Sequence, residues 1–276
     1  MTQIAKARQG VVTEEMAQVA RVEGLSAEDI RERVALGEVV ITQNKGRRHV
    51  APLGIGKGLK TKTNANIGTS KDQTDLAYET EKLDIAIRAG ADTVMDLSTW
   101  GPLDKVLQEI LERSTVPVGT VPVYQAAVEK VQEGCSIVEM SVEDIFRVID
   151  KQGAYGVDFI TVHCGVTRET VGRMKREGRV LDVVSRGGVF LMAWMQHNQR
   201  ENPLYEEYDR LLEIARKYDM TLSLGDGFRP GCLADATDRG QVQEMILLGE
   251  LIDRAREAGV QAIVEGPGHV PLPQVE

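Results

Sequence analysis

From about residue 60 onward, short β-branched or apolar runs alternate with longer stretches whose apolar positions return every three or four residues. That alternation predicts parallel strands joined by helices. Strands are expected at KTNANIG (62–68), DTVMDLS (92–98), VPVGTVPV (116–123), VDFITVH (157–163), LDVVSRG (181–187), TLSLGDG (221–227) and QAIVEGPG (261–268). Between them, DLAYETEKLDIAIRAG, LDKVLQEILERS, VEDIFRVIDKQGAYG, RETVGRMKREG, LYEEYDRLLEIARKYD and GQVQEMILLGELIDRAREAG read as amphipathic helices, several closed by glycine. The first 50 or so residues read as helical instead, with VTEEMAQVA followed by SAEDIRERVALGE, where Ser26 opens a capping-box pattern and Gly37 marks a stop. NKGRRHV and PLGIGKGLK come next and read as a solvated linker, because the helix that a phosphate-binding loop requires does not follow.

Seven strand-helix units predict an α/β fold of the TIM (β/α)8 type, incomplete, for which about 250 residues is the usual length. Residues 1–50 would form a small N-terminal helical module, and residues 51–276 the barrel core without its last unit. An open doubly wound sheet is the competing arrangement, but no G-x-G-x-x-G follows a strand.

The polar residues that break the apolar runs cluster at the strand ends: Asn64 and Asn66, Asp96 and Ser98, Tyr124, His163, Ser185 and Arg186, Asp226 and Arg229, Glu265 and His269. In a barrel of this kind the C-terminal strand ends form the active-site face, where residues distant in sequence converge. SRGG, Ser185 to Gly188, offers backbone amides that can approach a phosphate and a guanidinium fork. LGDGFRPG holds Asp226 and Arg229 on a loop stiffened by glycines and Pro230. EGPGHVP sets a carboxylate and an imidazole four residues apart, both common ligands of zinc, although a catalytic zinc generally takes three protein ligands.

Composition narrows the reading. A net charge of -9 argues against nucleic acid as a partner, so an anionic ligand must be met by local cations. No apolar run reaches the ~18 residues of a membrane span, and the N-terminus lacks a signal-peptide core, so a cytoplasmic location is expected. Three cysteines, Cys135, Cys164 and Cys232, are too scattered for a disulfide framework or a metal knuckle.

Read in order, NANIGTS, DTVMDLST, VPVGTVPVYQA, GVDFITVHCGVTRET, VSRGG, the long block from ENPLYEEYDRLLEIARKYD through TLSLGDGFRPGCLADATDR, and EGPGHVP resemble the phosphomethylpyrimidine synthase family across nearly the whole chain. The resemblance implies a radical S-adenosylmethionine lyase of thiamine biosynthesis that converts 5-aminoimidazole ribonucleotide to hydroxymethylpyrimidine phosphate, with a 4Fe-4S cluster and zinc, as a homodimer. It implies substrate contacts at Asn66, Met95, Tyr124, His163, Ser185, Arg186, Gly187, Asp226, Gly227, Phe228, Arg229 and Glu265, and a zinc ligand at His269. The second zinc histidine and the C-x-x-C-x(4)-C cluster motif of that family would lie beyond Glu276, and the cysteines here cannot supply that spacing. The chain is therefore expected to carry the substrate-binding barrel without the cluster and to be inactive alone. Trp100, Phe228 and the stretch Gln196 to Gln199 depart from the family pattern. Two alternatives stand beside this reading: a 5-hydroxybenzimidazole synthase using the same substrate, and a non-catalytic nucleotide-binding fragment.

Overall fold

The computed structural model describes residues 1–275. The chain begins with α1 (Gln3–Arg8), α2 (Glu14–Glu23) and α3 (Ala27–Leu36). Thr13 and Ser26 cap the second and third of these, each accepting from the backbone amide three residues on. The helical reading of this region then fails at VVIT, which is β1 (Val39–Thr42), paired antiparallel with β2 (Leu53–Gly56). All four β1 residues are buried, as a continuous β-branched run requires. Ile4, Met16, Val19, Ile30, Val34, Val39 and Ile41 make a small core of their own beneath this hairpin.

The rest of the chain alternates as the periodicity predicts. In order come β3 (Asn64–Ile67), α4 (Leu76–Arg88), β4 (Thr93–Asp96), α5 (Leu103–Arg113), β5 (Val118–Thr120), α6 (Pro122–Gln132) and α7 (Val142–Tyr155). There follow β6 (Phe159–Val162), α8 (Arg168–Glu177), α9 (Arg186–Asn198), α10 (Pro203–Glu206), α11 (Tyr208–Tyr218), β7 (Thr221–Leu224), α12 (Arg239–Glu257) and β8 (Ala262–Val264). Strands β3 to β8 form one six-stranded parallel sheet in sequential order.

One predicted strand is absent: residues 181–187 form no sheet, and β6 pairs directly with β7. The physical reason is that Ser185 caps α9, its hydroxyl accepting from the Gly188 amide, so the chain turns into a helix where the apolar run ends. Leu181 and Val184 stay 49% and 43% exposed, which a strand buried on both faces of a parallel sheet would not allow.

Six flat strands at ~4.8 Å would span roughly 24 Å. Yet Asn64 on β3 and Ile263 on β8 line a single cavity of about 410 Å³ together with Met95, Phe159 and Ser223. The sheet therefore curls so that its edge strands approach one another, although among the described residues these two strands are not paired. Inside the curl, the Phe159 ring fills the space a side chain at Gly119 would need.

At the N-terminal ends of the strands the basic stretch is no solvated linker. The Arg47 side chain is 4% exposed and is ion-paired with Asp158, and its guanidinium also donates to the Leu111 carbonyl at 2.7 Å and the Ser114 carbonyl at 3.1 Å. Asp158 accepts in addition from the amides of Asn44 at 2.8 Å and Val118 at 2.7 Å. The Gln261 side chain accepts from the Ile41 amide at 2.7 Å and donates to the Ile41 carbonyl at 3.1 Å, stitching the hairpin to the sheet. This end of the fold is held by ionic and side-chain to backbone bonds from Arg47, Asp158 and Gln261, while Arg47 Nε and the hydroxyls of Thr42 and Thr221 are buried without a partner.

Candidate functional site

At the opposite end, four loops meet. The β6 end carries His163, 2% exposed, and its carbonyl accepts from the Asn202 side chain at 2.9 Å. His163 Nε2 lies 3.2 Å from the Ser185 hydroxyl, while Nδ1 has no hydrogen-bond partner. Burial, aided by the Arg229 charge, holds the ring well below the usual range, at about 4, so His163 is a neutral imidazole. Gly187 packs flat against it; a Cβ there would stand 2.3 Å from His163 Cε1. Only a glycine lets the first turn of α9 come this close.

The helix start then projects Arg186 over the Tyr124 ring, with the guanidinium carbon 5.0 Å from the ring centroid. Tyr124 sits at the first turn of α6 and meets Phe190 edge-on at 6.1 Å and 71°. Its phenol is pushed up by burial, against the pull of Arg186, and stays neutral. From the loop after β7, Arg229 pairs with Asp226 at 2.9 Å. Arg186, Arg229, Tyr124, Asn66, Thr69 and Lys82 line one cavity of about 510 Å³. In a chain of net charge -9, this mouth concentrates guanidinium, ammonium and hydroxyl donors. Such a set suits a phosphorylated ligand, with Arg offering planar forks and the α9 N-terminus its amides.

Met95 and Glu265 face the other cavity, the one between β3 and β8 that the hairpin residues Ile55 and Gly56 also line. Glu265 Oε1 accepts from Thr161 at 2.8 Å and Ser223 at 3.1 Å. Burial, with the Asp226 charge adding to it, raises Glu265 above the ordinary carboxylate range, and burial does the same to Asp226 against Arg229. Asp96 is pushed up by burial to about 6, opposed by Ser98, whose amide donates to it at 3.0 Å. Asp226 and Glu265 thus feel the Arg229 charge, and Asp96 that of Lys82.

With this geometry in place, residues 2–276 match the model of the Radical SAM ThiC family. The chain belongs to that family. Curated ThiC relatives include phosphomethylpyrimidine synthase of Moorella thermoacetica, 61% identical over 276 residues, covering 100% of this chain and 64% of the relative. The synthase of Desulforamulus reducens is 58% identical over 275 residues with the same coverages, and that of Geobacter metallireducens is 58% identical, with 63% of its length covered. The chain thus spans about 64% of the length of the relatives it matches. A dihydropteroate synthase of Xanthomonas albilineans superposes with a TM-score of 0.41 at 11% identity, over 84% of this chain and 69% of its own, too loosely to build on.

The ThiC positions anticipated from the resemblance fall into layers. Asn66, Tyr124, Arg186 and Arg229 line the mouth, and Met95 and Glu265 line the cavity between β3 and β8. His163, Ser185, Gly187, Asp226, Gly227 and Phe228 are buried behind them, with Phe228 at 0% exposure. His269 is exposed at φ 58°, and its Nδ1 donates to the Pro230 carbonyl at 2.9 Å, which leaves Nε2 as the ring's lone-pair nitrogen. Among the described residues no three His, Cys, Asp or Glu are grouped to hold a metal ion. His269 is therefore a single oriented ring, with no group of metal-binding side chains gathered around it among the described residues. Cys164 is buried with its thiol pushed up by that burial, and Cys135 and Cys232 lie elsewhere, so these residues do not fit an iron-sulfur cluster.

Sequence reading missed the residues that fix the loops. Glu244, on α12, accepts from the Gly227 amide at 2.8 Å and the Phe228 amide at 2.9 Å. Burial, with Asp226 adding to it, raises Glu244, while the two amides it accepts from favour its ionised form. Arg179 donates to the Phe228 carbonyl at 2.7 Å, and Glu79 accepts from the Gly68 amide at 2.9 Å. The available signal was a carboxylate inside an apolar helical stripe: Glu244 shares the buried face of α12 with Leu248, Leu251 and Ala255, and Glu79 that of α4 with Leu83.

Proposed function

We propose that this chain is the ribonucleotide-binding part of a phosphomethylpyrimidine synthase, which converts 5-aminoimidazole ribonucleotide to hydroxymethylpyrimidine phosphate. The observation that carries the reading is the single cavity in which Arg186, Arg229, Lys82, Tyr124 and Asn66 meet, in a chain of the ThiC family. In this reading the curled sheet is the larger part of a TIM barrel, and its C-terminal mouth receives the nucleotide. Arg186 and Arg229 take the phosphate, with the first amides of α9 behind them. The Tyr124 ring and the Asn66 carboxamide border the ribose and base, while Glu265 stands at the neighbouring strand end.

The reaction's radical chemistry draws on S-adenosylmethionine and a 4Fe-4S cluster. This chain's residues offer the cluster no ligand set, so their part is to bind and orient the nucleotide. His269 is one zinc donor whose partners must come from outside these residues. The assembled enzyme is read as a homodimer. No helix of the described residues is long and apolar enough to cross a membrane.

Calorimetric titration with 5-aminoimidazole ribonucleotide tests the proposal. Arg186→Ala and Arg229→Ala should each weaken binding by about 1.5–3 kcal/mol, the range of a charged hydrogen bond. Unchanged affinity in both variants would overturn the assignment. For the complete enzyme, release of 5-hydroxybenzimidazole in place of the pyrimidine would move it to the sister activity.

A further inference from the structure

Helix α12 reaches two site loops at once. Asp238 caps its N-terminus, and Gln241 and Glu244 follow on its buried face, 3% and 1% exposed. Both oxygens of Glu244 are committed to consecutive amides of the loop after β7, those of Gly227 and Phe228. The Gln241 side chain donates to the Gly268 carbonyl at 2.9 Å and accepts from the Thr237 amide at 2.9 Å, so it anchors the loop after β8. Asp238 holds Arg179 at 2.7 Å, and Arg179 in turn donates to the Phe228 carbonyl. The two loops also touch: a Cβ on Gly268 would stand 1.8 Å from Asp226 Oδ2.

We propose that Glu244 and Gln241 are positioning residues of the nucleotide site, which set the loop bearing Arg229 against the loop bearing His269 without lining the cavity themselves. A bidentate carboxylate on two successive amides fixes both the height and the rotation of a loop, where a single bond would leave it free to pivot. Arg229 leaves that loop one residue after Phe228, so its fork can be aimed only as well as those amides are held. A buried carboxylate on a core stripe is costly where leucine would serve, and here it is spent on two amides next to the cavity. The ligand-directed half of this inference rests on the proposed function; the clamp itself does not.

The experiment is a double-mutant cycle read by titration with 5-aminoimidazole ribonucleotide, joined to amide hydrogen exchange on the same proteins. Glu244→Gln keeps the size and one accepting oxygen but turns an NH2 group toward an amide. It should weaken binding about tenfold in the parent, the worth of one well-placed hydrogen bond. In the Arg229→Ala background the same change should cost less than about twofold, because the group it aims is gone. Equal losses in both backgrounds, or no loss in the parent, would overturn the proposal, since a merely structural carboxylate acts additively. Exchange at the Gly227 and Phe228 amides should quicken in Glu244→Gln, and at the Gly268 region in Gln241→Ala, while β6 and β7 keep their protection. If the parent itself binds no ribonucleotide, the functional reading fails and with it the positioning role, and the exchange data then decide the clamp alone: unchanged protection at Gly227 and Phe228 removes it. Should Glu244→Gln not fold, Arg179→Lys enters the same cycle, because it loosens the Phe228 carbonyl from the other side.

Discussion

The two ends of the strands are built on opposite principles. At the N-terminal end, Asp158 is met by Arg47 and by two backbone amides, Asn44 bonds the carbonyls of Gly153 and Val157, and the hairpin β1–β2 lies over the result. At the C-terminal end, Arg186 is exposed and shares with Arg229 and Lys82 the lining of a cavity of about 510 Å³, while Asp226 and Glu265 are displaced upward by burial, as Asp158 is at the other end. What differs is access: Arg47 and Asp158 face each other in the interior, whereas Arg186 and Arg229 line a cavity that a ligand can enter. The contrast separates residues that serve stability from those that serve recognition, although both kinds are charged and buried.

The contrast can be broken experimentally, and the largest effect should come from the closed end. Arg47→Ala leaves Asp158 buried without its ion partner and should cost about 3–5 kcal/mol of stability in denaturant unfolding, with nucleotide affinity of the folded fraction little changed. A loss under 1 kcal/mol would mean that water reaches that end. At the open end, Arg229→Ala should lose affinity as predicted above and cost less stability than Arg47→Ala, because the Arg229 and Asp226 side chains keep 27% and 11% of their surface exposed.

His163 sharpens the comparison through pH. Its folded-state value of about 4 lies below the ordinary 6.5, so between those values the unfolded chain binds the proton more readily. His163 therefore contributes stability that is fully present above pH 6.5 and is lost as the pH falls toward 4, on the order of 1–3 kcal/mol. His163→Gln should remove that part of the slope in unfolding curves measured across this window; an unaltered slope would show that the ring is not held neutral. The smallest effect is expected from Lys82→Met, which removes a partly exposed ammonium from the mouth and should weaken nucleotide binding by about 0.5–1 kcal/mol in calorimetry.

The central strands were legible because they are buried on both faces, so FITV and TLSL stand out as short runs of apolar and β-branched or small residues. The same rule misled at LDVVSRG, where two valines precede a helix cap, and Leu181 and Val184 rest against Gly231 near the surface instead of in a sheet. VVIT was lost between a helix stop and a basic stretch, and the role of Arg47 was hidden because Asp158 lies 111 residues away. Of the site, Asn66, Tyr124, Arg186 and Arg229 were readable as polar residues at strand ends. Glu244 was legible only as a carboxylate on the apolar stripe of α12, since its partners are amides of another loop that the sequence does not set beside it.

The central claim, that the open end recognises a nucleotide through its phosphate, is tested most directly by comparing two ligands in one calorimetric series: 5-aminoimidazole ribonucleotide and its dephosphorylated riboside. Binding of the nucleotide, with the riboside at least about tenfold weaker as the loss of a charged hydrogen-bond set requires, is the predicted result. Equal affinity for the two, or binding of neither, would contradict the account.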